Sequence, residues 1–284
     1  MRPVLFFMFV MLTLPFMQGC SLSTSSVAEP QAVTLRHGVD TTAGGLAVFI
    51  IETPTATYYL DKKGGGLSSL IDADGNDWIG FAPTPGSGWQ GEYRGFPNAV
   101  HKQDGNYFHP VNASTDLSSS HITHHSAKHA QITVDSGNKQ WQAVWDFYPD
   151  RLDFSMAKVS QGYTYWVQYE GVPGGTLNDS DFYYNSAAPT RRNIQDSFHG
   201  DLPSPEWYAF GDTQASSMLY LLHHTDDTAP DSYEGRPFMT VLGFGRQHKN
   251  KYLTTPSRFS LGFIRSHDYH TIKQKVTALS SPTP

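Results

Sequence analysis

Tyr58-Tyr59-Leu60-Asp61-Lys62-Lys63-Gly64-Gly65-Gly66-Leu67-Ser68-Ser69-Leu70-Ile71-Asp72-Ala73-Asp74-Gly75-Asn76-Asp77-Trp78 is the stretch that decides the fold. Aromatic and aliphatic residues over 57–61 predict a strand. Three consecutive glycines then let the backbone turn sharply. Residues 67–71 predict a second strand. Asp72 to Asn76 is an acidic turn built on Asp74-Gly75, and extended chain resumes at 78–81.

The same grammar continues in both directions. Strands are expected at 46–52, 130–134, 141–148, 152–157, 163–169, 218–223, 239–244 and 258–264, each enriched in β-branched or aromatic residues. Turn residues such as Asp135-Ser136-Gly137-Asn138 and Pro173-Gly174-Gly175 separate them. Helical periodicity is weak and confined to 267–277. About a dozen strands with no internal repeat imply an all-β chain folded as one large antiparallel β-sandwich over 34–278.

The stretch at 58–78 resembles the opening of galactose-mutarotase-like β-supersandwich domains: a strand, glycines, a second strand and an acidic-glycine turn. That resemblance implies a fold shared by aldose epimerases, several polysaccharide lyases and hydrolase accessory domains. It says little about the reaction, which has to be argued from the site. Segments 91–98, 166–175 and 205–212 are similar to secreted proteins found beside polysaccharide-degrading enzymes.

The first twenty residues predict an address. Arg2 is followed by an apolar run over 4–16 and by Gly19-Cys20. Residues 1–19 resemble a lipoprotein signal, with Cys20, the only cysteine of the chain, as the lipidated residue. Ser21 after Cys20 resembles the pattern sorted to the outer membrane. Residues 20–33 read as a tether and 279–284 as a frayed tail.

Composition narrows the partners. A formal charge of −6 and the lack of a nucleic-acid module argue against nucleic-acid binding. Charged residues are 16% and aromatics 13%, with 13 His. That balance suits either a sugar-binding cleft or an aromatic β core. An acidic polysaccharide or oligosaccharide is the expected ligand and a monomer the expected state.

Four constellations carry chemistry. The richest runs over 89–109, with Trp89, Tyr93, Arg94, Asn98, His101 and His109 on glycine-broken chain. Tyr93, His101 or His109 would move protons, while Arg94 and Asn98 would neutralise a uronate carboxylate. That is what β-elimination requires. Trp166 and Glu170 alternate away from Tyr165, Val167 and Tyr169, as a groove wall would. His223 is expected to line the same groove and Arg236 to make a remoter anionic contact. No metal or cofactor is required, although Asp226 and Asp227 leave calcium open. The His121, His124, His125 and His129 row reads as solvent-facing, since it lacks zinc-helix spacing.

The preferred reading is degradation of an extracellular, uronic-acid-containing polysaccharide by β-elimination. The rivals are a glycan-binding surface lipoprotein, a hydrolase using a pair among Glu92, Glu170, Glu206 and Asp212, and an aldose-epimerase-like enzyme with two histidines and a carboxylate around one sugar.

Overall fold

A computed structural model describes residues 32–90, 93–110 and 117–281, the side chains of 89 and 90 apart. The signal, Cys20 and most of the tether lie outside the described residues, as does Glu92. The strands in chain order are β1 (Thr34–Asp40), β2 (Leu46–Glu52), β3 (Ala56–Asp61), β4 (Leu67–Asp72), β5 (Ala82–Pro85), β6 (Gly88–Gln90), β7 (Ser119–Ser126), β8 (His129–Asp135), β9 (Trp141–Tyr148), β10 (Arg151–Val159) and β11 (Val167–Gly171). They continue with β12 (Asp181–Asn185), β13 (Ala188–Asn193), β14 (Phe198–Gly200), β15 (Glu206–Asp212), β16 (Met218–His223), β17 (Asp231–Gly235), β18 (Thr240–Phe244), β19 (Arg246–Gln247), β20 (Asn250–Lys251) and β21 (Ser257–Ile264). Among the described residues, one α-helix, α1 (Tyr269–Ser280), follows the last strand.

The sandwich has two layers. One is a nine-stranded antiparallel sheet in the order β13-β12-β15-β16-β21-β10-β9-β8-β7. The other combines two four-stranded sheets, β1-β2-β3-β4 and β11-β18-β17-β14. Residues 95–99 join these two edge to edge. Leu67 N donates to Phe96 O at 2.7 Å, and Gly95 and Glu170 exchange backbone bonds at 2.7 and 3.0 Å. The Trp166 and Gln168 amides donate to the Ala99 and Pro97 carbonyls.

Side-chain alternation builds the core. In β9, Trp141, Ala143, Trp145 and Phe147 are buried while their neighbours are half-exposed. They meet Tyr58 and Phe96 from the opposite layer, with ring centroids 5.2 Å apart for Tyr58–Phe147 and 6.0 Å for Phe96–Trp145. Over the other half, Tyr169 packs on Phe210 and Tyr183 on Tyr233. The outer face of the large sheet is covered by α1, whose Tyr269, Ile272 and Val276 bury against Trp207, Tyr220 and Leu222. Asp268 caps this helix by accepting the Thr271 amide at 2.7 Å. Leu279 and Ser280, read from sequence as the start of the tail, form its last turn.

The decisive stretch folds as its residue types require, and then does more. The Asp72 carboxylate accepts the Asp74 and Asn76 amides, Asn76 Nδ2 and Trp78 Nε1. One buried acid therefore closes the turn and anchors the buried indole. Residues 78–81, expected to be extended, instead bend. Asp77 draws both the Leu70 and Ile79 amides onto one oxygen at 3.0 Å, so only the Trp78 and Phe81 amides reach β4, at Leu70 O and Ser68 O. Similarly, residues 163–166 do not extend β11: Tyr165 makes only an isolated bridge to Leu253. The exposed strand β7 carries a bulge between Ile122 and His124, which brings His124 onto the ring of His129.

Candidate functional site

The glycine run of the decisive stretch builds the site. A Cβ on Gly66 would stand 2.5 Å from the Cα of His109, so only glycine lets β4 pass this close to the His109 backbone. The His109 amide donates to the Gly64 carbonyl at 3.3 Å. Residue 109 is thereby held beside the segment 95–99 that edges β11.

On β11, Val167 and Tyr169 face the core, while Gln168 and Glu170, and Trp166 just before the strand, lie outside it. The Glu170 carboxylate accepts Asn98 Nδ2 at 2.5 Å and Gln168 Nε2 at 3.3 Å. His109 Nε2 lies 4.0 Å from Glu170 Oε2. His109 Nδ1 stands 2.9 Å from the Pro110 carbonyl, which can only accept, so Nδ1 carries the proton. Nε2 makes no well-formed hydrogen bond among the described residues, and the Arg94 backbone carbonyl faces the ring beside Glu170. Burial pushes the His109 pKa down to about 4, which keeps the ring neutral at pH 7. Tyr93 stands edge-on to His109, with ring centroids 5.9 Å apart.

Cations gather at the neighbouring Trp166. Lys251 Nζ lies 4.7 Å from the indole centroid and the Arg246 guanidinium 5.5 Å. Trp166 Nε1 donates to the Asn98 carbonyl at 2.6 Å, which fixes the ring. Arg246 crosses β18 at Gly243, where a Cβ would sit 2.6 Å from Arg246 Cδ. Its Nε donates to the His248 carbonyl, and its buried Nη1 has no partner among the described residues. Burial lowers the Arg246 pKa, against the charges of Glu170 and Glu234. His101 is half-buried, and its pKa is lowered by burial and by Lys102 and Lys251.

Of the residues chosen from sequence, Asn98, His109, Trp166 and Glu170 therefore meet, with Tyr93 against His109. Arg94 turns elsewhere: its Nη1 and Nη2 donate to the Gly80 and Phe238 carbonyls at 3.2 and 2.7 Å. Arg236 pairs with Glu234 at 3.2 Å. His223 does not join them. It shares the inward face of β16 with Leu219 and Leu221, so strand parity sends it into the sandwich instead of the groove. The side chain of Trp89 lies outside the described residues. Sequence reasoning missed Arg246 and Lys251, whose short strands β19 and β20 carry no hydrophobic alternation. The lone Arg-Gln and Asn-Lys pairs flanking His248-Lys249 were the only available signal.

A second histidine–carboxylate pair lies on the inner face. His223 Nδ1 is 2.6 Å from Glu206 Oε2 and Nε2 is 2.8 Å from Ser257 Oγ. Asp227 also brings a carboxylate within 4.8 Å of this pair. Both ring nitrogens of His223 are hydrogen-bonded here, so a cation at this cluster would have to displace Glu206 or Ser257 from the ring.

No family model matches the chain, and no curated protein matches it. Among solved structures it is similar to HI1317, with a TM-score of 0.50 at 11% identity over 82% of this chain and 99% of that one. A galactose mutarotase related enzyme from Lactobacillus acidophilus gives a TM-score of 0.46 at 10% identity, over 78% of this chain and 99% of the other. A galactose mutarotase-like protein from Lactobacillus casei gives 0.46 at 10%, over 76% and 100%. At such identities the likeness is one of fold. The large antiparallel β-sandwich expected from the sequence is the architecture of this chain.

Proposed function

We propose that the chain is a carbohydrate-active enzyme of the aldose-epimerase type, working on one sugar ring whose reacting oxygens reach Glu170 and His109. The observation that carries this reading is Nε2 of His109, which makes no well-formed hydrogen bond among the described residues, facing Glu170 Oε2 across 4.0 Å. Two acceptors at that separation leave room for a proton-bearing oxygen to reach both. The C1 hydroxyl and ring oxygen of a pyranose share one carbon, so a compact pair can serve both. One member takes the C1 hydroxyl proton, the C1–O5 bond breaks, and the proton passes to the ring oxygen. Reclosure on the other face of C1 reverses these transfers. Trp166 supplies an aromatic face for the sugar C–H groups. Lys251 and Arg246 favour a ring bearing a negative group.

β-Elimination from a uronic-acid polymer is a second reading. Lys251 and Arg246 favour it, since they could take over the carboxylate neutralisation first assigned to Arg94 and Asn98. The glycan-binding alternative uses the same Trp166 wall without proton transfer. We further propose that Cys20 anchors the chain in the outer membrane through lipid, a proposal tested by labelling with a fatty-acid probe in cells carrying Cys20→Ala. Two assays on one protein sample separate the enzymatic readings. Accelerated anomer exchange in a panel of aldoses and uronic acids, followed by NMR, is the expected result. A rise in ultraviolet absorbance on alginate, ulvan, pectin or glucuronan would replace it with elimination. Silence in both, with polymer retained, would leave binding alone.

A further inference from the structure

We propose that Ser257, His223 and Glu206 form a second catalytic centre, a serine nucleophile relay that hydrolyses short-chain carboxylic esters. The three side chains come from consecutive positions across the large sheet. Glu206 of β15 pairs with His223 of β16, which pairs with Phe259 of β21. Ser257 is two residues before Phe259, on the same face. The inward row thus lines up carboxylate, imidazole and hydroxyl. Glu206 Oε2 lies 2.6 Å from Nδ1, and Nε2 lies 2.8 Å from Ser257 Oγ.

Each component is held in place. The His223 ring stacks on Phe259, with centroids 4.4 Å apart and planes 10° off parallel, which fixes the direction of both nitrogens. The second Glu206 oxygen accepts the Asp227 amide at 3.0 Å. His223 and Glu206 are 2% and 1% exposed, whereas Ser257 is half-buried and follows exposed Thr254, Thr255 and Pro256. The relay therefore runs from a dry carboxylate to a hydroxyl at the rim. A buried polar triad of this kind gains no stability over apolar side chains of the same volume, so packing alone does not account for it. The Thr225 hydroxyl lies 2.8 Å from Ser257 Oγ. Thr225 and His223 crowd Oγ from two sides at 2.8 Å, which favours a small acyl group over a large one.

The chemistry balances without a cofactor. Oγ forms a bond to the ester carbonyl carbon while its proton moves to Nε2, and Nδ1–H donates to the Glu206 carboxylate. The acyl C–O bond to the alcohol breaks, and the departing oxygen takes the proton from Nε2. Water then attacks the acyl-serine, gives its proton to Nε2, and Ser257 leaves with that proton. The products are an alcohol and a carboxylic acid.

This inference stands independently of the groove around Glu170. The test uses the full chain with a fluorophosphonate probe and p-nitrophenyl acetate. The expected result is a covalent label mapped by mass spectrometry to Ser257, and ester turnover that falls on the order of 10³-fold in Ser257→Ala. Ser257 is near the surface, so a thermal melt should show that this variant folds. His223→Gln should abolish the label. Ser257 left unlabelled in the folded protein would overturn the proposal, as would turnover that survives Ser257→Ala. Stoichiometric Zn2+ binding by calorimetry, lost in His223→Gln and accompanied by no label, would overturn it in favour of a metal site.

Discussion

Two histidine–glutamate pairs occupy opposite sides of one layer boundary, and their spacing separates their roles. On the outer face of β11, Glu170 and His109 stand 4.0 Å apart, and Nε2 makes no well-formed hydrogen bond among the described residues. On the inner face of β15 and β16, Glu206 and His223 touch at 2.6 Å, and the far nitrogen is taken by Ser257. The first pair is open to something that brings a proton. The second already passes hydrogen bonds along a line. The same two residue types thus stand apart on one face and in direct contact behind a hydroxyl on the other.

The largest effect expected concerns the open pair. Glu170→Gln should lower anomer-exchange rate by about 10²–10⁴-fold, because it removes a proton acceptor while keeping the shape. His109→Ala should lower it comparably, and matching circular dichroism would show that the sheet survives. Equal loss of rate from both would mark them as a unit.

Stability should distinguish the pairs next. Glu206→Ala leaves a buried, neutral imidazole nitrogen without its partner and should cost about 1–3 kcal/mol in denaturant unfolding. Glu170→Ala should cost less, about 0.5–1.5 kcal/mol, since its main partner Asn98 is half-buried and can turn to water. A larger cost at Glu170 would reverse the contrast drawn above.

The two patterns differed in legibility for a physical reason. The fold was readable because 58–78 sets two apolar segments around a glycine run and an acidic turn, and because 141–148 alternates and ends in turn residues. Half of the open site was readable too, since strand parity separates Glu170 from Tyr169 and places Trp166 with Glu170. The closed relay was not. Glu206–Asp212 is buried on both faces under α1, so its sequence lacks the alternation of a half-exposed strand. Ser257 lies 34 positions from His223, and only sheet order brings them together. Arg94 was misjudged because its partners are backbone carbonyls at Gly80 and Phe238, and a backbone carbonyl leaves no trace in composition.

Acidity sharpens the comparison further. Burial raises the carboxyl pKa of Asp181 to about 7, and those of Glu206 and Asp231 to about 8. Each folded pKa exceeds its unfolded value, so the folded state binds more protons and stability drains away as pH rises through the folded pKa. Burial lowers His109, His223 and His224 to about 4, which adds stability as pH rises from about 4 to 6.5. The opposing effects leave only the acids acting above about pH 6.5. The melting temperature should therefore fall between pH 6.5 and 8.5, and Asp231→Asn should flatten that fall. Ester turnover should rise over the same interval, as Glu206 becomes ionised beside Asp227, Asp201, Asp226 and Asp231 and lets Nδ1 hold the relay proton.

The smallest effect belongs to the groove wall. Lys251→Met should weaken binding of an acidic sugar by about 0.5–2 kcal/mol and leave a neutral sugar nearly unaffected, as read by titration calorimetry. Equal weakening of both would assign Lys251 to packing on Trp166.

The most direct measurement is a crystal structure of the chain soaked with the aldose or uronic acid that exchanges fastest. The expected density places a sugar oxygen within hydrogen-bonding reach of both His109 Nε2 and Glu170 Oε2, with the ring against Trp166. A sugar bound elsewhere, or a water held between those two atoms while the sugar turns over, would contradict the account.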